Sequence, residues 1–592
     1  MTDTVRSLAR RRAFDRRLAV DLAIGTSVVA ALVLPILLTT RAFFGDWGNH
    51  LYLVDQQTRW LRHHGLPTYF LHSTDSGVFY PQYMFYGGSL YTVTGWLGVL
   101  LGSSVAYRLT FVMGFSASYF GTLWAARQLG VRSLFAHAPA IVAVSGSYYL
   151  TKAYDDGGWP EFVAVSMIPL VVAATLSVAR SKRVPLVSAS LLVASTFLLT
   201  GSHNVTLVYG LLFLGVLTAT FLVVYRHSIT RTLVKRLSIV GALIGLSAAM
   251  NAWFLVPLIR YGDLTRVGRM NEQQFDAFDH ATRSFDSWRV VFNPLRSYPV
   301  LPIANAHSFY VQAPVYALIW LTGLGIFIWL RGRRSTNVTM YAALVAILGV
   351  IFTLILWQGI WDVMPNVLKI IQSRYRLQTY VNFSVVGLII VGLLVLARES
   401  HARAWLLALV LATAISGGFA MWQVWSQKTY LPVSDLTKTG DRLPPIEYAG
   451  CPAPCPSAET DYRSPGTIGG ALDVIHIDVR RARTGETLVR VPSGGPYRTN
   501  IAWSPVIELT GAARIIGATP EGWAVIAQTP RSEGSPSMVQ ARIRPNATGP
   551  VILGRVVSAI AVITLLIWLL LVVVLRARRK REETRQLASP SC

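Results

Sequence analysis

Charge is scarce in this chain of 592 residues: only 14% of them are Asp, Glu, Lys or Arg. A soluble globular protein carries about a quarter. With a mean hydropathy of +0.45 and 53% hydrophobic residues, the chain is no soluble globule. Acids are scarcer than bases, 29 against 54, which leaves a net charge of +25. That excess does not point to nucleic acid, because cytoplasmic loops of membrane proteins collect basic residues. Lysine is rarer still, seven residues in all, and the arginine bias points to a GC-rich bacterial genome. There are three cysteines: Cys451 and Cys455 in Cys-Pro-Ala-Pro-Cys, and the final Cys592. No further zinc ligands are obvious near them, so a small external disulfide, or no bond, is expected in preference to a zinc site. No small-residue cleavage site follows the basic N-terminus, which reads as an uncleaved signal anchor. There is no internal repeat and no ionisable residue at the middle of an apolar run, both of which count against a transporter.

What is present is a series of apolar runs long enough to cross a bilayer. The basic stretch 1–17 is expected inside. Crossings are then expected at about 18–40, 105–125, 135–150, 161–179, 185–200, 205–225, 237–258, 309–330, 338–357, 377–397, 404–424 and 551–576. Segment 84–101 is apolar too, but counting it as a span would put basic loops outside, so it is expected to dip into or lie on the outer leaflet. With twelve crossings both termini are cytoplasmic, and the basic tail 577–592 is inside. External loops then fall at 41–104, 151–160, 259–308 and 358–376, within a transmembrane domain of 18–424. Residues 425–550 change character. Pro, Gly, Ser and Thr rise, and short β-type runs appear at 474–479, 487–491, 499–509, 523–529 and 539–543. They predict a small extracytoplasmic β-sandwich before the last helix, 551–576.

The stretch Gly45-Asp46-Trp47-Gly48-Asn49-His50 follows the first apolar run directly. In a helix starting here, Asp46 and His50 share a face one turn apart. Leu51, Val54, Thr58 and Leu61 continue as an apolar face, and Gly65 then Pro67 end the helix, which is expected to lie along the surface. The other polar candidates fall in the same external loops: Asp155, Asp156 and Glu161, His203, and Arg374 with Arg376. Arg108 stands near the outer end of its span. Phe275, Phe278, Phe285, Trp288 and Phe292 recur at helical spacing, as in a helix lying in the membrane interface. A greasy cavity rimmed by such groups suits an enzyme with one lipid and one polar substrate. A carboxylate can take an acceptor proton, and arginines can hold a departing phosphate in a fork.

Each candidate also has a plain structural reading. Asp46 is a good helix cap, Asp155-Asp156-Gly157-Gly158 is good turn chemistry, and Glu161 sits where a helix start favours an acid. Arg108 can snorkel, and His50 can be a satisfied structural residue. Arg374 and Arg376 stand outside against the usual charge bias, which favours function.

The layout resembles the GT-C class of membrane glycosyltransferases, and more closely the bacterial YfhO-like and so-called 6-pyruvoyl-tetrahydropterin synthase-related membrane proteins. The matching elements are Gly45-Asp46 with His50, Phe79-Tyr80-Pro81, Ala106-Tyr107-Arg108-Leu109, Gly157-Gly158-Trp159-Pro160-Glu161, the short loop with His203, and the β region before a last helix. The resemblance implies a polytopic helical fold of about twelve spans. It also implies sugar transfer, with inversion, from a polyprenyl-phosphate donor to an envelope glycan, lipid or protein acceptor on the outer face. Asp46 would be the general base, and Asp155, Asp156 or Glu161 the second acid. Arg374, Arg376, His203 and Arg108 are the phosphate-binding candidates, and His50 is a substrate or metal ligand, with a divalent cation as an optional cofactor. Relatives carry a Gln-Phe-Pro-x-Arg type motif where this chain has Gln372-Ser373-Arg374-Tyr375-Arg376, so either arginine can be the equivalent one. The competing readings are a flippase for lipid-linked glycans and a non-catalytic scaffold for envelope assembly.

Overall fold

The computed structural model describes residues 2–43, 46–70, 82–154, 157–181, 184–262, 313–332, 335–357, 359–365, 374–399 and 402–427. Towards the C-terminus it describes 472–475, 487–493, 495–519, 523–529 and 537–588, with a few single positions besides. Gly45, the 79–81 motif, Asp155 and Asp156, the aromatic stripe 275–292 and all three cysteines lie outside the described residues.

The apolar runs are helices because a chain in hydrocarbon must satisfy its backbone internally. Among the described residues, eight helices are long and apolar enough to cross a membrane. They coincide with eight of the twelve expected spans. The runs expected at 135–150, 185–200 and 309–330 are shorter apolar helices, and 105–125 falls within α5 (Ser103–Leu129). The run 237–258 is not one helix. It breaks at Asn251 into α11 (Arg231–Met250) and α12 (Ala252–Tyr261). The Asn251 amide donates to Phe197 O at 2.8 Å and Thr200 Oγ1 at 2.6 Å, and its oxygen accepts from Ser89 Oγ at 2.5 Å. Bonds to two other helices thus hold the break. The expected span 135–150 likewise divides at Gly146 into α6 (His137–Ser145) and α7 (Ser147–Tyr154). α8 (Trp159–Arg180) and α16 (Gln378–Leu396) are buried over most of their length and form the centre of the bundle. α10 (Asn204–Val224), α11 and the last helix, α18 (Gly549–Ala588), expose most of theirs.

The segment 84–101 is a short helix α3 (Gln82–Phe85) and then α4 (Gly88–Leu101). The 14 residues of α4 reach about 21 Å, less than the ~30 Å hydrocarbon core. The helix after Asp46, α2 (Trp47–His64), ends as expected with Gly65 at φ +70°. It does not lie along the surface. It is buried on nearly every side through Leu61, wedged between α4 and α5. The reason is steric: Gly95 and Gly98 of α4 face Leu61, Gln57 and Thr58, with no room for a side chain. Polar groups on the far side are paired, with Asp55 accepting from Ser103 Oγ at 2.6 Å and joined to Arg59 at 2.7 Å.

The C-terminal strands form two sheets, one ordered β1-β3-β6-β5 and one β2-β7-β4. These are β1 (Val474–Ile475), β2 (Thr487–Pro492), β3 (Tyr497–Ala502), β4 (Ile507–Gly511), β5 (Ala513–Ala518), β6 (Trp523–Gln528) and β7 (Met538–Pro545). The alternation of β7 puts Val539, Ala541 and Ile543 inward and Gln540, Arg542 and Arg544 outward, as a half-buried strand requires. The expected run 499–509 is two strands, divided by a turn at Pro505-Val506, because proline has no N–H for a ladder. Inward residues of both sheets share one core, which also takes in Tyr69, Phe70 and Met84 ahead of α4, Phe254 of α12 and Val551 of α18. The sandwich is therefore packed on the same end of the bundle as the loop leading into α4.

Candidate active site

That end of the bundle gathers most of the polar residues singled out by the sequence. Asp46 occupies the N-cap position of α2, yet its side chain makes no capping hydrogen bond. Its backbone is held from outside. Gly157, at φ +67°, lies so close that a Cβ there would overlap the nitrogen of Trp47 and stand 2.9 Å from that of Asp46. The turn before α8 is thereby pressed onto the start of α2. One turn on, His50 is 5% exposed, and its Nδ1 lies 2.6 Å from the Tyr91 hydroxyl. Its Nε2 is buried with no partner among the described residues. Burial, and secondarily His203, lowers the His50 pKa from 6.5 to about 3, so the ring is neutral.

Glu161 is the acid of the first turn of α8, as expected, and its side chain also reaches other elements. Its Oε1 accepts from the Tyr148 hydroxyl at 2.6 Å. Its Oε2 lies 3.4 Å from Lys152 Nζ and 3.7 Å from Arg376 Nη1. Lys152 and Glu161 are 3% and 4% exposed, so this is a buried ionic cluster and not a surface pair. Lys152 also sits over the Tyr148 ring at 4.9 Å.

His203 is the N-cap of α10, and its Nδ1 lies 3.2 Å from the backbone nitrogen of Thr206. Nδ1 also lies 2.9 Å from Thr206 Oγ1. Burial, with Arg376 and Lys152, outweighs Glu161 and lowers the His203 pKa to about 3, which keeps the ring neutral. Nε2 lies 3.3 Å from Arg376 Nη1. With Nε2 as acceptor, the Arg376 guanidinium donates to the ring and ties α10 to the turn ahead of α16.

Between the two groups stands Tyr86. Its ring stacks on His50 at 5.9 Å and meets His203 edge-on at 5.8 Å. Burial raises its hydroxyl pKa, and Arg376, Asp46, Glu161 and Lys152 all act on it electrostatically.

The structure thus brings Asp46, His50, Glu161, His203 and Arg376 to one place. Arg108 has another role: its Nη1 donates to Leu37 O at 3.1 Å, at the last turn of α1 (Thr2–Leu38), where a cation suits the helix end. The backbone of Arg374 belongs to a short 3-10 turn, Arg374–Leu377, ahead of α16. Lys152, Tyr86 and Tyr148 were not expected. Lys152 had a signal, since it is one of seven lysines and falls in the loop 151–160, against the same charge bias that marked Arg376. Tyr86 and Tyr148 had none, because tyrosines are common in this chain. Among the described residues no three His, Cys, Asp or Glu side chains converge as a metal-binding group.

No family model and no curated protein matches the chain. Among solved structures it is similar to the arabinofuranosyltransferase AftD from Mycobacteria, at 16% identity and a TM-score of 0.42, covering 69% of this chain and 28% of that one. It is also similar to the Archaeoglobus fulgidus oligosaccharyltransferase, at 13% identity and a TM-score of 0.44, covering 77% and 62%. A third is ArnT from Cupriavidus metallidurans bound to undecaprenyl phosphate, at 14% identity and a TM-score of 0.36, covering 67% and 63%. The chain thus spans 28% to 63% of the length of these structures.

Proposed function

We propose that this protein is a membrane glycosyltransferase that moves a sugar from a polyprenyl-phosphate carrier to an acceptor hydroxyl on the extracytoplasmic side. One observation carries the reading. At one end of the bundle a carboxylate that does not cap its helix, Asp46, and a buried cluster of Glu161 with Lys152 and Arg376 both act on the same side chain, Tyr86.

In the reaction, Asp46 takes the proton of the acceptor hydroxyl as its oxygen attacks the anomeric carbon. The bond from that carbon to the carrier phosphate breaks, and negative charge grows on the departing phosphate. In this reading Lys152, Arg376 and His203 are the groups that receive it. Glu161 accepts from Tyr148 and is flanked by both cations, so it is a positioning residue and not a second catalytic acid.

Charge supports the sidedness. α8 and α16 both start at this site and run to Arg180 and Arg398 at their other ends, where Arg331 also lies. Basic residues mark the cytoplasmic side, which supports an extracytoplasmic site and β-sandwich.

The test is a transfer assay on the purified protein in lipid nanodiscs, with a panel of polyprenyl-phosphate sugars and release of free polyprenyl phosphate as the readout. Wild type releases it from at least one donor, and Asp46→Asn, with an unchanged melting temperature, is slower by about 10²–10⁴-fold. Release from no donor, or equal release by Asp46→Asn, defeats the reading.

A further inference from the structure

Three polar side chains of this site keep some exposure: Asp46, Tyr86 and Arg376. His50, Lys152, Glu161 and His203 are all 5% exposed or less. The least buried part of the site is therefore formed by Asp46, Arg376 and, between them, Tyr86. We propose that Tyr86 is a substrate-contacting residue whose hydroxyl donates to the sugar being transferred. This rests on the glycosyltransferase reading, in which the sugar must lie between the base and the departing phosphate.

The backbone fixes Tyr86 there. Gly87 follows at φ +62°, and a Cβ on it would stand 2.9 Å from Ser202 O. The turn into α4 is thereby pressed against the junction of α9 (Leu186–Ser202) and α10 that carries His203. The ring has little freedom left, with His50 stacked against it at an interplanar angle of 19° and His203 edge-on at 84°. His50 is in turn anchored on Tyr91. The buried His50 Nε2, without a partner among the described residues, is a cost that a polar ligand beside Tyr86 relieves.

The electrostatic surroundings agree. Tyr86 senses both carboxylates, Asp46 and Glu161, and both cations, Arg376 and Lys152. Its phenol stays protonated at neutral pH, because burial is the largest influence on it. It therefore donates, and sugar hydroxyl and ring oxygens accept. The other two partly buried groups are suited to other tasks, since a carboxylate only accepts and a guanidinium is best matched to phosphate. A neutral donor between them is the complement of an uncharged sugar.

The experiment uses the full chain in nanodiscs and the variant Tyr86→Phe, which keeps the ring and its packing. Two probes are compared: polyprenyl phosphate without sugar, and the sugar-loaded carrier that wild type turns over. Tyr86→Phe binds bare polyprenyl phosphate as wild type does, melts at the same temperature, and loses about tenfold in kcat/KM for the loaded carrier. Lys152→Met does the opposite, losing affinity for the bare phosphate itself. Unchanged turnover by Tyr86→Phe overturns the inference and leaves the glycosyltransferase reading standing. Equal loss of both lipids also overturns it, since that is what a purely structural tyrosine produces. Wild type that neither binds polyprenyl phosphate nor releases it from any donor overturns both.

Discussion

Replacing Glu161 by glutamine tests the buried cluster most directly. The isostere keeps an oxygen for the Tyr148 hydroxyl and removes only the charge. Lys152 Nζ at 3.4 Å and Arg376 Nη1 at 3.7 Å then lose the attraction of this carboxylate. At an effective dielectric of about 20 each attraction is worth about 4–5 kcal/mol before desolvation and cation–cation repulsion are subtracted. Measured cases of breaking a buried pair from one side cost about 3–5 kcal/mol, and that is the expected loss here. Solvent screening does not reduce it much, because the Glu161 and Lys152 side chains are 5% and 4% exposed and that of Arg376 is 17%. Removing Lys152 as well, in Lys152→Met with Glu161→Gln, takes away both members of one pair, so the double variant costs about 1–3 kcal/mol less than the sum of the singles. Unfolding in graded SDS, followed by tryptophan fluorescence, measures all three. A Glu161→Gln protein as stable as wild type, or single effects that simply add, would refute the claim that this carboxylate holds the two cations.

Two further outcomes follow from the same geometry. His50 and His203 each have a pKa lowered from 6.5 to about 3, chiefly by burial. The unfolded chain therefore binds protons below pH 6.5 that the folded one refuses, so stability is full above pH 6.5 and falls as pH drops towards 3. The slope is about 1.4 kcal/mol per pH unit for each histidine. Chemical unfolding at pH 7.5, 6 and 5 reads this slope, and stability that rose on acidification would contradict it. Gly157→Ala strains a left-handed backbone and also drives a methyl into Trp47 and Asp46, whereas Gly65→Ala, at φ +70° with nothing within 4 Å, carries the strain alone. Gly157→Ala is expected to lose transfer at least tenfold more than Gly65→Ala, and equal turnover by the two variants would show that the contact on Asp46 does not matter.

The sequence by itself determined the architecture, because hydrocarbon admits few answers. Runs such as 161–179 and 377–397 had to be helices, the alternation of 539–543 had to be a half-buried strand, and Gly65 before Pro67 had to end α2. It also marked Asp46, Glu161, His203 and Arg376, since charged or ionisable groups outside the usual basic loops of a membrane protein are costly and therefore conspicuous. What it left open were matters of partner choice. Asp46 reads equally well as a cap or a base, and only the tertiary structure shows that its side chain does not cap α2. Glu161 reads as a helix-start acid, and only the folded bundle sets Lys152, Tyr148 and Arg376 around it. The break at Asn251 is set by hydrogen bonds to residues 51 or more positions away, and the depth of α2 by glycines on another helix. Local spacing fixes which residues share a face. Which charges meet, and which residue stands between them, depends on contacts made after the helices have packed, and Tyr86 took its place only there.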